Sequence, residues 1–269
     1  MADLIITDNK APIDQILLDQ KEAYGEVSKR YIPIATQQVI DMAKEFDSNV
    51  EVIGFNKAKV RKEEKEGFQK HAVMLQFSNA EMLDGTKLNM VIYNSNDRSS
   101  SLKLYTGFLR MVCSNQCVVG DQIAEPISIK HTNLDWQDKV KYSFDTLQET
   151  KLRTEEMIDR MLNQYTSYGD MGRYAEQVAN MMNNHITGSI VDPLELLVSH
   201  RPEDNGKDLW HTYQRIQYNV MNGGIQRQIP KQDDEGRVKA LISKTHKITD
   251  DSLKIKWNRE LNEMAMDLL

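Results

Sequence analysis

The hydrophobic pattern of this chain changes period twice, and this change is the strongest constraint on its fold. Apolar residues recur at near-helical spacing up to about residue 46, with a break marked by Pro33. From Val50 the spacing becomes two, and the same alternation returns in three later segments, 72–77, 87–93 and 101–108. After Pro126 the spacing is helical again. A run of strands followed by a run of helices predicts an α+β fold and disfavours a parallel α/β sheet.

Turn residues between the strand-like segments predict their topology. Asp84-Gly85 precedes the third segment and Asn94–Asp97 precedes the fourth, so consecutive antiparallel pairing is the simplest arrangement. We predict an antiparallel sheet over about residues 50–120, in which 109–119 is a further strand or a buried turn. The sheet is expected to pack with N-terminal helices and a larger C-terminal helical part. In this interpretation 1–269 is one domain, divided into N-terminal helices (1–48), the sheet (49–130) and a helical part (131–269).

The helical part shows four predicted elements. An apolar stripe over 136–165 predicts one helix or a pair of helices, and Asp192-Pro193 is typical of the start of a short helix. A stripe over 209–220 stops at Gly223-Gly224, and the stripe over 253–268 predicts a terminal helix. The polar segment Gln226–Arg237 is the one good candidate for a linker.

Composition and charge exclude several classes of protein. There are 34 Lys and Arg against 40 Asp and Glu, a formal charge of -6, which argues against wholesale wrapping of nucleic acid but leaves room for one basic groove. No apolar run approaches the ~20 residues of a membrane span, and the N-terminus lacks signal-peptide order. With only two cysteines there is no disulfide framework. We expect a protein that stays in the cytoplasm, with no membrane association.

Motifs for catalysis and cofactor binding are missing from the sequence. There is no phosphate-binding GxxxxGK[ST] or GxGxxG and no GxSxG nucleophile turn. Cys113 has apolar neighbours typical of a buried thiol, and Cys113, Cys117 and His131 lack the second cysteine pair usual in structural zinc sites. We therefore predict no catalytic residue, no metal, no cofactor and no enzymatic activity.

The sheet segment carries the remaining functional signal. Between Val50 and Arg110 there are ten Lys and Arg against seven Asp and Glu, a local charge of +3 that leaves -9 for the rest of the chain. Cations that contact phosphates, beside aromatic rings that stack on bases, are what a single-strand binder needs. The alternative is a solvated hairpin tip in which Lys and Glu alternate to keep the strand edge soluble. The predicted nucleic-acid-binding residues are Lys57, Lys59, Arg61, Lys62, Lys65, Phe68, Lys70, Tyr93, Arg98, Lys103, Tyr105 and Arg110.

Four short segments in a fixed order carry a resemblance to a known family. They are Tyr93–Asp97, Ser101-Leu102, Arg110–Asn115 and Ile129–Thr132. In this order and spacing they resemble the phage- and plasmid-borne family catalogued as a domain of unknown function and often labelled phage/plasmid-like protein. The resemblance extends over about residues 30–269, through Asp208-Leu209-Trp210 with Tyr213 and Asn219, and through Trp257-Asn258 with Leu261. Asn96 and Arg98 replace the family's histidine and glycine, so no role of that histidine is transferred.

The resemblance implies an accessory factor of mobile elements and establishes no catalytic residue. The matched residues have two interpretations: a scaffold, in which Arg110 and Asn115 lock a turn and His131 caps the next helix, or a polar cleft lined by Arg110, Asn115, Lys130 and His131. Our functional hypothesis is a phage or mobile-element protein that binds single-stranded DNA without sequence specificity during replication, recombination or strand annealing. The alternative hypothesis is an inhibitor or modulator of a host defence or transcription enzyme, acting by protein contact. Homo-oligomerisation is compatible with both.

Overall fold

The computed structural model describes residues 12–110, 127–185, 189–232, 238–248 and 251–269. It divides into two compact units, Met1–Glu155 with Asp250–Ser252, and Glu156–Thr249 with Leu253–Leu269. Each unit is described by itself. The cysteines Cys113 and Cys117, and Asn115 of the proposed cleft, lie outside the described residues.

The first unit is built on a five-stranded antiparallel sheet in sequence order. Its strands are β1 (Glu51–Lys57), β2 (His71–Glu81), β3 (Thr86–Asn94), β4 (Leu102–Arg110) and β5 (Ile127–Ile129), and each pairs with the next. The predicted consecutive antiparallel topology is therefore confirmed for β1 to β4. The turn before β3 contains Asp84 and Gly85, both at positive φ, as the turn chemistry of Asp-Gly predicts.

The helices of the first unit are α1 (Gln15–Leu18), α2 (Thr36–Phe46), α3 (Trp136–Asp145) and α4 (Leu147–Asn163), the last of which continues into the second unit. The stripe over 136–165, predicted as one helix or a pair of helices, forms the pair α3 and α4. The prediction of N-terminal helices over 1–48 is only partly right, because within the described residues 12–48 only 15–18 and 36–46 are α-helical. Apolar spacing around Ile13 and Tyr24 suggested a longer helix, but Tyr24 is instead held by its backbone N–H, which donates to Asn96 O.

The core of the first unit lies between one face of the sheet and helices α2 and α3. Phe77 of β2 contacts the rings of Phe46 and Phe144, with centroid separations of 6.3 Å in both pairs. Val39 and Val140, on the buried sides of α2 and α3, have no exposed surface. Burial of this apolar face is what fixes the register of the strands, because a shift by one residue would turn it to the opposite side.

The second unit combines helices with a small sheet. Its helices are α5 (Tyr168–His185), α6 (Leu209–Asn222) and, from Leu253 onward, α7 (Asp251–Met266). Its antiparallel strands are β6 (Ile190–Val191), β7 (Gln226–Gln232) and β8 (Val238–Lys244). A 3-10 helix over Pro193–Leu197 follows Asp192, whose carboxylate accepts from Leu194 N–H, as predicted. Helix α6 begins after Asp208, whose carboxylate accepts from His211 N–H.

The predicted stop of α6 is also confirmed, and it has both a local and a tertiary reason. Gly223 ends the helix with φ of +69°, and a Cβ there would lie 2.5 Å from the backbone carbon of His246. A residue with a side chain would be strained and would clash with backbone.

The linker predicted over Gln226–Arg237 is wrong in its described part. Residues 226–232 form β7 and pair with β8, so the helical part also contains a three-stranded sheet. Gln, Arg and Lys make up five of the seven residues of β7, and that composition hid the strand because both of its faces are largely exposed. No helix in the described part of the chain is both long and apolar enough to cross a bilayer.

Candidate nucleic-acid interface

The two faces of the five-stranded sheet differ in their surroundings. One face carries Phe77 and packs on the helices, as described above. The opposite face carries a separate cluster of Ala72, Met74 and Val91, which are buried. Half-buried hydrophobic residues pack against this cluster; they are Ile53, Ala58, Tyr93 and Tyr105. We call the face that carries the tyrosines the tyrosine face.

The tyrosine pair is set by the register of β3 and β4. Tyr93 is opposite Lys103 and Val91 is opposite Tyr105, so the two tyrosines are diagonal neighbours on one face. Their ring centroids are 5.4 Å apart and the rings are tilted by 72°. Both side chains are partly exposed. Such a pair offers ring surface at a sheet, which is the geometry on which nucleic-acid bases stack.

Three cations belong to this face or its margin. Lys103 is directly opposite Tyr93. Lys70 directly precedes β2, and Ala58 N–H donates to its backbone oxygen at 2.8 Å, so the pairing of β1 with β2 extends to this residue. Because side chains alternate between the two faces, Lys70 is on the same face as Ala72 and Met74. Lys59 follows Ala58 and is exposed. None of the three side chains forms an ion pair with a residue that the structure describes. They remain able to contact an anion.

Lys57 lies on the opposite face of the sheet, and the prediction that it joins one groove with Lys103 is wrong. Its Nζ is 2.6 Å from Asp14 Oδ2 and 3.7 Å from Glu66 Oε1. The hydrogen bond from Lys57 lowers the pKa of Asp14, and the same bond raises the pKa of Lys57. The sequence could not predict this pairing because Asp14 is 43 positions away.

The connection between β1 and β2 fits the alternative interpretation, a solvated loop in which lysines pair with acidic residues. Lys62 Nζ is 3.8 Å from Glu64 Oε1, and Lys65 Nζ is 3.8 Å from Asp97 Oδ2. Lys65 also lies over the ring of Tyr24, which in turn packs on Phe68 at 5.8 Å. Phe68 is thus part of an internal aromatic contact, and the predicted groove does not bring it to Tyr93 and Tyr105.

The remaining predicted binding residues are Arg61, Arg98 and Arg110. Arg61 is exposed on the same connection, and Arg98, at φ of +67°, donates to Glu26 O at 3.0 Å. The backbone of Arg110 ends β4, but its side chain is outside the described part of the structure. The structure therefore brings together Lys70, Tyr93, Lys103 and Tyr105, with Lys59 at the margin, and separates the others.

The motif around Asn94 has a scaffold role. Asn94 Nδ2 donates to Ile34 O at 2.7 Å and to Thr36 Oγ1 at 3.0 Å, and Thr36 Oγ1 is 2.6 Å from His71 Nε2. Asn96 Nδ2 donates to Gln20 O at 2.8 Å. These buried amides tie the N-terminal segment to the end of the sheet. Burial lowers the pKa of His71 to about 4, so this histidine is neutral at pH 7.

His131 is also a structural residue, although it does not cap α3. Its ring stacks on Tyr31 at 5.0 Å, and its Nδ1 lies 3.1 Å from Ile32 O. Burial lowers its pKa. Helix α3 instead begins after Asp135, whose N–H donates to Asn133 Oδ1. The buried position of His131 argues against a cleft open to phosphate at this residue.

The C-terminal residues of the resemblance form the core of the second unit. Trp210 and Tyr213 stack at 5.8 Å and are buried. Asn219 Nδ2 donates to Leu196 O and Val198 O, and Gln217 Nε2 donates to Asn258 Oδ1 at 2.7 Å. These side chains hold the helices of the unit together. Among the described residues no group of His, Cys, Asp or Glu could hold a metal ion.

Comparison with known proteins places the chain in a family. The model of the domain of unknown function DUF932 matches residues 23–242, so the chain belongs to this family and the resemblance seen in the sequence is confirmed. Two relatives from Escherichia coli (strain K12) are the UPF0380 protein YfjQ, 26% identical over 207 residues, and the UPF0380 protein YafZ, 27% identical over 180 residues. These matches cover 74% and 67% of this chain, and 70% and 62% of the respective relative. No solved structure matches.

Proposed function

We propose that this protein binds single-stranded DNA without sequence specificity, as an accessory factor of phage or mobile-element DNA metabolism in the host-cell cytoplasm. The proposed activity is binding and not catalysis. The observation that carries the proposal is the tyrosine face, where Tyr93 and Tyr105 form a half-buried ring pair flanked by Lys70 and Lys103.

The chemistry of a single strand fits this arrangement. Unpaired bases expose their ring faces, and aromatic side chains stack on them whatever the base, which gives affinity without sequence preference. A duplex hides those ring faces inside its stack, so the tyrosines would discriminate against it. Lys103 on β4 and Lys70, directly before β2, flank Tyr93, where they can contact the phosphates of a nucleic-acid strand whose bases cover the rings.

The excess of acidic residues in the chain also favours binding of nucleic acid at the tyrosine face alone. With a net charge of -6, the protein repels nucleic acid away from the tyrosine face. Glu51, at the far end of β1 from the tyrosine pair, is also opposite Gln76 on this face and would limit the contact at that end. We expect a short footprint centred on the two rings.

The dependence of binding on salt measures the phosphate contacts. Contacts from Lys59, Lys70 and Lys103 give an expected slope of about -2 in a plot of log K against log salt, since each phosphate on a single strand contributes about -0.7. Fluorescence anisotropy with a labelled single-stranded oligonucleotide and the matching duplex measures this slope. Absence of binding to the single strand even at low salt would contradict the proposal and favour the protein-binding alternative.

Substitution of single lysines locates the contact. We expect Lys103→Ala and Lys70→Ala each to reduce the magnitude of the slope by about 0.7, whereas Lys57→Ala leaves it unchanged because Lys57 is paired with Asp14 on the other face. Lys44→Ala, on the exposed side of α2, is the matched surface control. A loss of slope in Lys57→Ala equal to that in Lys103→Ala would place the DNA elsewhere.

A further inference from the structure

The outer edge of β8 in the second unit is exposed and unusually apolar. The strand order is β6-β7-β8, so in the described part of the chain β8 has a strand neighbour on one side only. Val238, Leu241 and Ile242 are 66%, 54% and 68% exposed. Exposed apolar edge strands promote pairing with another chain, and proteins normally cover or blunt them. An isolated apolar edge of this kind indicates an interaction surface.

The hydrogen bonding of β7 determines which backbone groups of β8 face outward. Thr245 N–H donates to Ile225 O at 2.8 Å, which makes this a hydrogen-bonded pair. Since such pairs alternate in an antiparallel ladder, Leu241 opposite Ile229 is also hydrogen-bonded, and Ala240 opposite Pro230 is not. Pro230, which has no N–H to donate, fits this assignment. The N–H and C=O groups that point to the open edge therefore belong to Val238, Ala240, Ile242 and Lys244.

We propose that β8 pairs with β8 of a second copy of this chain, antiparallel and about a two-fold axis at Leu241. Leu241 is the midpoint of Val238–Lys244, so this register pairs the whole strand with itself. Ala240 is then opposite Ile242, which satisfies the outward groups of both, and Leu241 is opposite its own copy. The two three-stranded sheets become one six-stranded sheet, in an interface of the self-complementary kind that two-fold dimers use.

The distribution of charge favours this register. Lys239 is placed opposite Ser243, and Lys244 is placed opposite Val238, so no cation directly faces a cation. A register centred two residues earlier would place Lys239 against Lys239. Arg227, Lys231, Lys239 and Lys244 nevertheless give the described hairpin strands only positive charge. In the sequence, Asp233, Asp234 and Glu235 between the two strands offset part of this charge and leave +2 over 226–244, so the dimer should depend only weakly on salt, unlike the DNA binding proposed above.

The molar mass in solution, measured by light scattering over a wide range of concentration, tests the dimer. We expect twice 31.1 kDa for the wild type at high concentration. Ala240→Pro should give the mass of one chain, because it removes an outward N–H that the β7 ladder does not use. Ala240→Ser keeps that N–H and should stay dimeric. A wild type with the mass of one chain at every concentration, or a dimer that persists in Ala240→Pro, would overturn the proposal.

Disulfide cross-linking tests the register, and it remains informative if Ala240→Pro fails to fold. In a background with Cys113→Ser and Cys117→Ser, Leu241→Cys places two thiols on the axis, with Cα atoms about 4.5 Å apart, and should form a covalent dimer on mild oxidation. Ser243→Cys is the control, because its two copies would lie four residues apart along the strands, about 13 Å. Cross-linking of Ser243→Cys and not of Leu241→Cys would contradict the register.

Discussion

Replacement of both tyrosines, Tyr93→Leu with Tyr105→Leu, is expected to weaken binding of single-stranded DNA by about 30-fold or more. Each base stacked on an aromatic ring contributes about 1–3 kcal/mol, and leucine keeps much of the apolar volume while removing the ring. The rings pack against Ala72, Met74 and Val91, so apolar replacements protect this cluster from a cavity. Anisotropy at constant salt measures the change in affinity.

Two controls separate stacking from loss of structure. Tyr93→Phe with Tyr105→Phe keeps both rings and should retain most of the affinity. Tyr142→Leu makes the same chemical change at a 63% exposed position on α3 and should have no effect. Thermal melts establish that all variants are folded. If the double leucine variant is folded and binds like the wild type, the rings do not contact DNA.

The free energy of unfolding is expected to fall by about 3 kcal/mol between pH 7 and pH 4 through His71 alone. The pKa of this histidine is about 4 in the folded state against 6.5 ordinarily, because burial disfavours its charged form. The unfolded chain therefore binds the extra proton first, and the stabilisation present above pH 6.5 is lost as the pH falls towards 4. His131 acts in the same direction, since burial also lowers its pKa.

Chemical denaturation of the wild type and His71→Gln at several pH values isolates this contribution. Glutamine can keep a hydrogen bond to Thr36 but does not titrate, so the variant should lose stability less steeply between pH 6.5 and 4. The depressed pKa of Asp14 produces its effect at lower pH, below its ordinary value of 3.8. Parallel stability curves for the two proteins would show that His71 is not buried in neutral form.

Local patterns in the sequence predicted the elements whose signals are local. The period-two segments became β1 to β4, Asp192-Pro193 became the start of a 3-10 helix, and Gly223 ended α6. The missed elements lack such signals. Helix α5 was not predicted, although its Met171, Met181 and Met182 are buried, and β7 and β8 are largely exposed strands without a clear buried face.

The candidate site was harder to predict because it depends on which face of the sheet each side chain occupies. Tyr93, Lys103 and Tyr105 could have been placed on one face from the sequence. Lys103 and Tyr105 are two residues apart on β4, and Lys103 is opposite Tyr93 on β3. Lys57 directly follows Asn56 in β1, so its side chain is on the opposite face of the sheet, where it pairs with Asp14. The partners of Lys65 and Phe68, namely Asp97 and Tyr24, are brought together only by tertiary folding.

Ultraviolet cross-linking of single-stranded DNA to the protein, followed by peptide mapping, tests the proposed interface most directly. Bases stacked on aromatic rings are placed for photochemical coupling, so we expect the cross-linked residues to be Tyr93 and Tyr105, with labelling suppressed by unlabelled single strand and much less by duplex. Coupling confined to Phe68, to the second unit, or to no residue at all would contradict the assignment of DNA binding to the tyrosine face.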